Sequence, residues 1–300
     1  MSRTLAAVSR GDAELPLRTG MPLPCEGGVL VMMPGFLGSE ASAGIKLLSL
    51  APKQAGRSSH LGVMMLYDAS LLPVAMLCGS TITALRTAAT TACATDILAP
   101  KTARQLAILG SGEQADAHLC ALQLVRNFAS IRIWSRTRAN ALALADRHAQ
   151  TSSNIETCES VETAVNEADV ICTLTRSPMP VLPGRLVADG VHVNLVGSSS
   201  RGFAETDDEL VTRARFFVDF RTSALNQAGE LLGAIERGRV TEQHIAAEIG
   251  EVIAGTHPGR GSPSDLTVFK SLGIAAEDIA LAAHIHRKAE RLGLGQMVEL

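Results

Sequence analysis

Gly110-Ser111-Gly112-Glu113-Gln114-Ala115 follows the short apolar run Gln105-Leu106-Ala107-Ile108-Leu109 and opens a stretch with Ala, Leu and Val at helical spacing. In that setting G-x-G-x-x-A suits the binding of a dinucleotide pyrophosphate. The first glycine permits a tight turn, and the second lets the backbone approach the phosphates. The small Ala115 lets helix pack on strand, and the helix N-terminus supplies positive dipole. The motif by itself is weak, because glycines are common in loops; its place between strand and helix is what gives it weight. The nucleotide's identity turns on the end of the following strand, where an NAD enzyme usually places an acidic residue against the ribose 2′-OH. This chain has Ser135-Arg136-Thr137-Arg138 there. Two guanidiniums and two hydroxyls suit a 2′-phosphate, so NADPH is favoured, with NADH the alternative. A merely solvated basic helix start is the competing reading.

Three further cations, Arg18, Lys46 and Arg86, lie outside that stretch, and spacing alone does not single them out. Arg86 draws most notice, because it sits among Ala and Thr in a helical pattern where a lone charge needs a partner. His284 and His286 are two apart on a helix and face different directions, so they make no metal pair. H-E-x-x-H, C-x-x-C and G-x-S-x-G are all absent, which leaves metal hydrolysis and a nucleophile elbow without support; no metal is expected.

The elements that would carry these residues alternate. Runs at 28–33, 62–67 and 73–78 read as strands, and residues 83–98 as a helix ending at Pro100. From Lys101 onward strands are expected at 105–109, 131–134, 169–174, 191–196 and 215–219, with helices at 114–127, 138–149 and 161–167. Thr206-Asp207-Asp208-Glu209 has the form of a capping box for the helix before the last of these strands. Such alternation implies right-handed βαβ units and a parallel sheet covered on both faces. The Ala-rich stretch 274–292 reads as a final helix.

At 300 residues, two domains are expected. A net charge of −3, one Trp and one Tyr argue against nucleic acid, which needs basic surface and stacking rings. No apolar run long enough to span a membrane is present, and the start lacks the apolar core of a signal peptide, so the cytoplasm is the default. Cys25, Cys78, Cys93, Cys120, Cys158 and Cys172 form no C-x-x-C pair and read as buried free thiols.

Taken together, several segments resemble the ornithine cyclodeaminase/μ-crystallin family: Pro16-Leu17-Arg18, Met33-Pro34, Gly44-Ile45-Lys46, Thr83 to Ala89, the 110–115 loop, Asn194-Leu195-Val196-Gly197 and Thr267 to Gly273. They run in order from about residue 12 to the C-terminus, and R-T-A-A and F-K-S-x-G are far more specific than the glycine motif. The resemblance implies an α/β chain with a Rossmann domain over 99–275. A smaller α+β substrate and dimerisation domain is formed by 1–98 with 276–300, in a homodimer. By matching motifs, Arg18 and Lys46 would hold a substrate carboxylate, with Lys46 close to the reacting nitrogen. Arg86 would contact cofactor phosphate or substrate. Thr173, Val196, Gly197, Ser271 and Leu272 would line the nicotinamide side.

One departure is informative. Ornithine cyclodeaminases carry an Asp where this chain has Ser199, and that loop, like Ser135-Arg136-Thr137, is similar to the ketimine reductases of the family. The implied activity is reduction of a cyclic imino acid, Δ1-pyrroline-2-carboxylate or its six-membered homologue, to L-proline or L-pipecolate. Ornithine cyclodeamination, an alanine- or opine-type dehydrogenase and a non-catalytic NADPH-binding protein remain the alternatives. Lys46 would be the proton donor, its pKa lowered by partial burial near Arg18.

Overall fold

A computed structural model describes residues 1–23, 28–50, 60–150 and 154–299. Cys25 lies outside the described residues. The chain divides into two units, Arg3–Arg86 with Ile274–Leu300, and Thr87–Gly273. The first change of unit therefore falls inside the helix that ends at Leu98 rather than after it.

The first unit opens with a helix, α1 (Ser2–Ser9), ahead of the first strand read from the sequence; its Leu5, Ala6, Ala7 and Val8 are buried. An antiparallel sheet follows. Its strands are β1 (Ala13–Glu14), β2 (Thr19–Pro22), β3 (Val29–Leu37), β4 (Ser42–Leu50), β5 (His60–Tyr67) and β6 (Pro73–Cys78), in the order β1-β3-β4-β5-β6, with β2 also on β3. Then comes α2 (Gly79–Leu98).

β4 escaped the sequence reading for a physical reason. Along it Ser42, Gly44 and Lys46 are the buried positions, so the expected alternation of apolar inside and polar outside is inverted. The buried side of the sheet receives the last helix of the chain, Ala275–Leu292, across β3, β4 and β5. Gly35 and Gly44 make room for it. A Cβ on Gly35 would come within 2.8 Å of the Ala275 methyl, and one on Gly44 within 3.0 Å of Ile279.

The second unit is the expected parallel sheet, with more strands than the sequence reading found. It holds β7 (Gln105–Leu109), β8 (Ser130–Trp134), β9 (Ile155–Cys158), β10 (Val170–Thr173), β11 (His192–Leu195), β12 (Arg215–Val218), β13 (Ile245–Glu248) and β14 (Thr267–Lys270). Every neighbouring pair is parallel, in the order β13-β12-β14-β11-β10-β7-β8-β9. Between the strands lie α3 (Glu113–Gln123), α4 (Arg138–His148), α5 (Val161–Val165), α6 (Asp208–Arg213), α7 (Arg221–Gln227), α8 (Gly229–Glu236) and α9 (Ile249–Ile253), which makes the last helix α10.

Strand residues divide between two cores, one on each face. Ala107, Leu109, Ile171 and Val193 join one, and Leu106, Ile108, Ile133 and Cys172 the other. The helix α3 stops four residues before the expected 127. The capping box at 206–209 is not formed. Asp207 is the N-cap and accepts from the Leu210 N–H, while the Thr206 hydroxyl donates to the Leu182 carbonyl. The five described cysteines are free, but only Cys172 is buried; Cys78 and Cys120 are exposed. Among the described residues no helix is long and apolar enough to cross a membrane.

Candidate active site

In the second unit the phosphate loop forms as its residues require. β7 ends at Leu109, and Gly110 turns at φ 136°, with a Cβ there only 2.5 Å from the Leu174 carbonyl oxygen. Gly112 caps α3, and a Cβ built on it meets nothing within 4 Å, so the backbone there opens on free space. The N–H groups of Glu113, Gln114 and Ala115 belong to the first turn of α3, where helical carbonyl partners are lacking. Ala115 is wholly buried against the sheet. Ser111 and Ser135 are joined by a 2.8 Å hydroxyl contact that ties the loop to the end of β8.

Of the two guanidiniums expected beside the ribose, Arg138 is paired with Glu159 on the surface. Arg136 is exposed and has no ion-pair partner among the described residues. Thr137 is the N-cap of α4, and its hydroxyl makes no capping bond. First-turn N–H groups, an open backbone and an exposed guanidinium form a set that fits a nucleotide phosphate.

The loops that follow β10, β11 and β14, at the carboxyl ends of the strands, carry the residues expected on the nicotinamide side. Two of these are committed to a residue that sequence reasoning missed. The fully buried Glu205 accepts at 2.7 Å from the Thr173 hydroxyl and the Gly197 N–H through one oxygen. Its other oxygen accepts at 2.7 Å from the Thr175 N–H and hydroxyl. Burial pushes the Glu205 carboxyl upward, while Lys270 and the threonine hydroxyls pull it down.

Beside it the buried Lys270 donates to the Ser198 carbonyl and pairs with Glu230 at 3.0 Å. The serine run is thereby anchored just ahead of the half-buried Ser199. Asp219 accepts from the Leu272 and Gly273 N–H groups at 2.6 Å each and fixes the turn after β14. Val196 is buried in the apolar core. The hydroxyls of Ser198 and Ser271 are buried and have no hydrogen-bond partner among the described residues, which leaves polar groups available near the strand ends.

In the first unit the cations come together more tightly than the sequence showed. Lys46 on β4 is wholly buried, and its ammonium donates to Asp278 Oδ1 at 2.8 Å and to the Thr83 hydroxyl at 3.1 Å. The partner needed by Arg86 proves to be the start of α10: its guanidinium reaches Glu277 at 2.7 Å and Asp278 Oδ1 at 3.0 Å. Thr83 and Arg86, three apart on α2, share a face, and the first turn of a helix favours the two carboxylates.

The Lys46 pKa is lowered to about 8. Burial is the main cause, Asp278 opposes it, and Arg86 adds to it. The direction is the expected one, and Arg86 is the cation that adds to it. Arg18 stands, half-buried, just before β2. The neighbouring Thr19 pairs with Met32 on β3, and Met33 of β3 pairs with Lys46 on β4.

A model of the ornithine cyclodeaminase/mu-crystallin family matches residues 1–292. The chain belongs to this family. It is 37% identical over 282 residues to the ketimine reductase mu-crystallin of Mus musculus, covering 92% of this chain and 85% of that one. It is 32% identical over 289 residues to a Delta(1)-pyrroline-2-carboxylate reductase of Bacillus cereus, covering 95% and 89%. Among solved structures, the Thermococcus litoralis Delta(1)-pyrroline-2-carboxylate reductase in complex with NADH and L-proline superposes with a TM-score of 0.95 at 32% identity. There 99% of this chain and 93% of that one are covered.

For a member of this family the chain shows which of its motif residues share a neighbourhood. Lys46 and Arg86 form one cluster with Glu277 and Asp278, and Thr173 and Gly197 form another through Glu205. Glu205, Glu230, Asp219, Glu277 and Asp278 went unread because a carboxylate in a polar or helical stretch looks solvated until its partners are known. The only signal for Asp278 was its place at the start of an Ala-rich helix that must bury one face.

Proposed function

We propose that the protein reduces a cyclic ketimine carboxylate, Δ1-pyrroline-2-carboxylate and its six-membered homologue, to the L-imino acid, using NADPH in preference to NADH. The observation that carries this reading is the buried ammonium of Lys46, whose pKa of about 8 suits an acid working near neutrality. The nicotinamide, when bound, supplies the hydride that the imine carbon accepts. The chain's part is placement and a proton. Lys46 has three N–H donors and uses two on Asp278 and Thr83, leaving one for the substrate. Proton transfer from Nζ to the ring nitrogen, as the C=N bond becomes C–N, leaves a neutral amine. Arg18 suits the carboxylate because its planar fork binds two oxygens together.

Ser199 supports reduction over cyclodeamination, since a hydroxyl cannot serve as the base that a carboxylate would be. Preference for NADPH is supported by Arg136, an exposed guanidinium without an acidic partner among the described residues, beside the phosphate loop. A homodimer is supported by the sheet face turned away from α10. There Pro34, Ile45, Met65 and Met76 are aligned across four strands, with Met76 69% exposed.

The deciding experiment is oxidation of NADPH and of NADH followed spectrophotometrically against both imines. Turnover of either imine, faster with NADPH, is expected; ammonia release from L-ornithine with NAD alone would overturn the reading. Lys46→Met should lower kcat by about 100-fold or more, on the usual scale of general acid catalysis. Unchanged turnover would remove Lys46 from the chemistry.

A further inference from the structure

We propose that Asp278 is a positioning residue that aims the Lys46 ammonium and holds it in its charged form, against the pull of Arg86. The inference rests on reading Lys46 as the proton donor. Its geometric basis is one oxygen atom. Asp278 Oδ1 accepts both from Lys46 Nζ at 2.8 Å and from Arg86 Nε at 3.0 Å, with the carboxylate wholly buried. Two cations on one oxygen cannot stand further apart than those two bonds laid end to end. A guanidinium does not deprotonate in a protein, so Lys46 is the member of the pair that gives way.

The groups facing Lys46 come from each element packed on it. α2 brings Arg86 and the neutral Thr83 hydroxyl, and α10 brings Asp278 and Glu277. On the sheet its neighbours across β3 and β5 are Met33 and Met64, both apolar and buried. Glu277 is bonded to Arg86 rather than to Lys46, so it answers mainly the guanidinium charge. Asp278 is thus the one carboxylate, among the described residues, in hydrogen-bond contact with the ammonium. Its second oxygen is buried without a hydrogen-bond partner among the described residues, which leaves Oδ1 and the two cations to fix its orientation.

Two roles can be told apart by pH. A donor works while protonated, so turnover falls as pH rises through the Lys46 pKa. Removing the negative charge with Asp278→Asn lowers that pKa and moves the alkaline limb of kcat to lower pH by about one unit or more, the usual effect of one close opposite charge. The ratio of kcat at pH 8 to kcat at pH 6 then falls about fivefold or more relative to the wild type. Asp278→Glu, which keeps the charge, should return the limb most of the way. Titration of the free imine is the same for every variant, so a difference between variants belongs to the enzyme.

If Asp278→Asn lowers kcat by the same factor at every pH, Asp278 is only a scaffold and the proposal fails while Lys46 keeps its role. If Lys46→Met turns over normally, the reading of Lys46 fails instead. A urea-unfolding cycle covers the case in which Asp278→Asn folds but is too unstable for kinetics. Lys46→Met with Asp278→Asn leaves neither buried charge unpaired, and should be more stable than Asp278→Asn alone. A double variant no more stable than that single one would also overturn the proposal.

Discussion

Replacing Glu205 by Gln keeps the shape of the side chain and changes what its atoms can accept. In the wild type each carboxylate oxygen takes one backbone N–H and one hydroxyl. Gly197 N–H and Thr173 Oγ1 go to one, Thr175 N–H and Thr175 Oγ1 to the other, all at 2.7 Å. A glutamine must present NH2 in place of one oxygen, whichever way the amide lies. The facing hydroxyl can rotate and accept from that NH2, but the facing backbone N–H cannot. One buried N–H, of Gly197 or of Thr175, is therefore left against a donor, at a cost of about 1–3 kcal/mol. The surviving bonds lose charge assistance, about another 1 kcal/mol. Relief of the buried charge works the other way, as the raised Glu205 pKa shows, and so does lessened repulsion from Glu230. The net destabilisation is about 2–3 kcal/mol, which in a unit of this size lowers Tm by about 5–10 °C. Scanning calorimetry of the ligand-free protein at neutral pH measures it directly. A Tm within about 1 °C of the wild type would refute the claim that Glu205 pins the loops after β10 and β11.

Acid should weaken the fold between pH 6.5 and about 4. His118 and His192 are fully buried, and burial lowers their pKa values to about 4 and about 3, while the unfolded chain titrates near 6.5. The unfolded state binds more protons in that window, so stability is complete above it and falls as pH drops, by up to about 1.4 kcal/mol per pH unit for each histidine. Urea midpoints taken from pH 7 to 4.5 should follow this slope, and His118→Gln should flatten it; a flat wild-type profile would refute it. Arg136→Ser should raise KM for NADPH by about tenfold while moving KM for NADH little, since only the former carries the 2′-phosphate. Equal changes for both cofactors would place the 2′-phosphate elsewhere.

What could be read from the sequence was local. Leu106 to Leu109, the two glycines and the apolar spacing after Gln114 are neighbours in the chain, so strand, turn and helix were visible without any partner. The same holds for α10, whose alanines announce a packed face. The inverted strand β4 was hidden, because its inward residues are Ser42, Gly44 and Lys46 and a buried lysine looks like a solvated one until its acceptor is known. That acceptor lies 232 residues further on. Glu205 holds Thr173 and Thr175 from about thirty residues away, and Lys270 reaches back 72 residues to Ser198. The family motifs marked Lys46 and Arg86 as chemistry, but not the two carboxylates that make them a cluster.

The distance in sequence between Lys46 and Asp278 also sets an order on synthesis. Residues 87–273 are contiguous, so that unit has all its strands before α10 leaves the ribosome. The first unit does not. Its sheet is translated first and waits, with an apolar face uncovered and a lysine lacking its counter-ion, until the final helix arrives. A message cut short within α10 would yield a finished nucleotide-binding half joined to an unfinished partner, a species that proteases and chaperones can recognise. The Lys46–Asp278 pair is thus completed only once α10 has been translated.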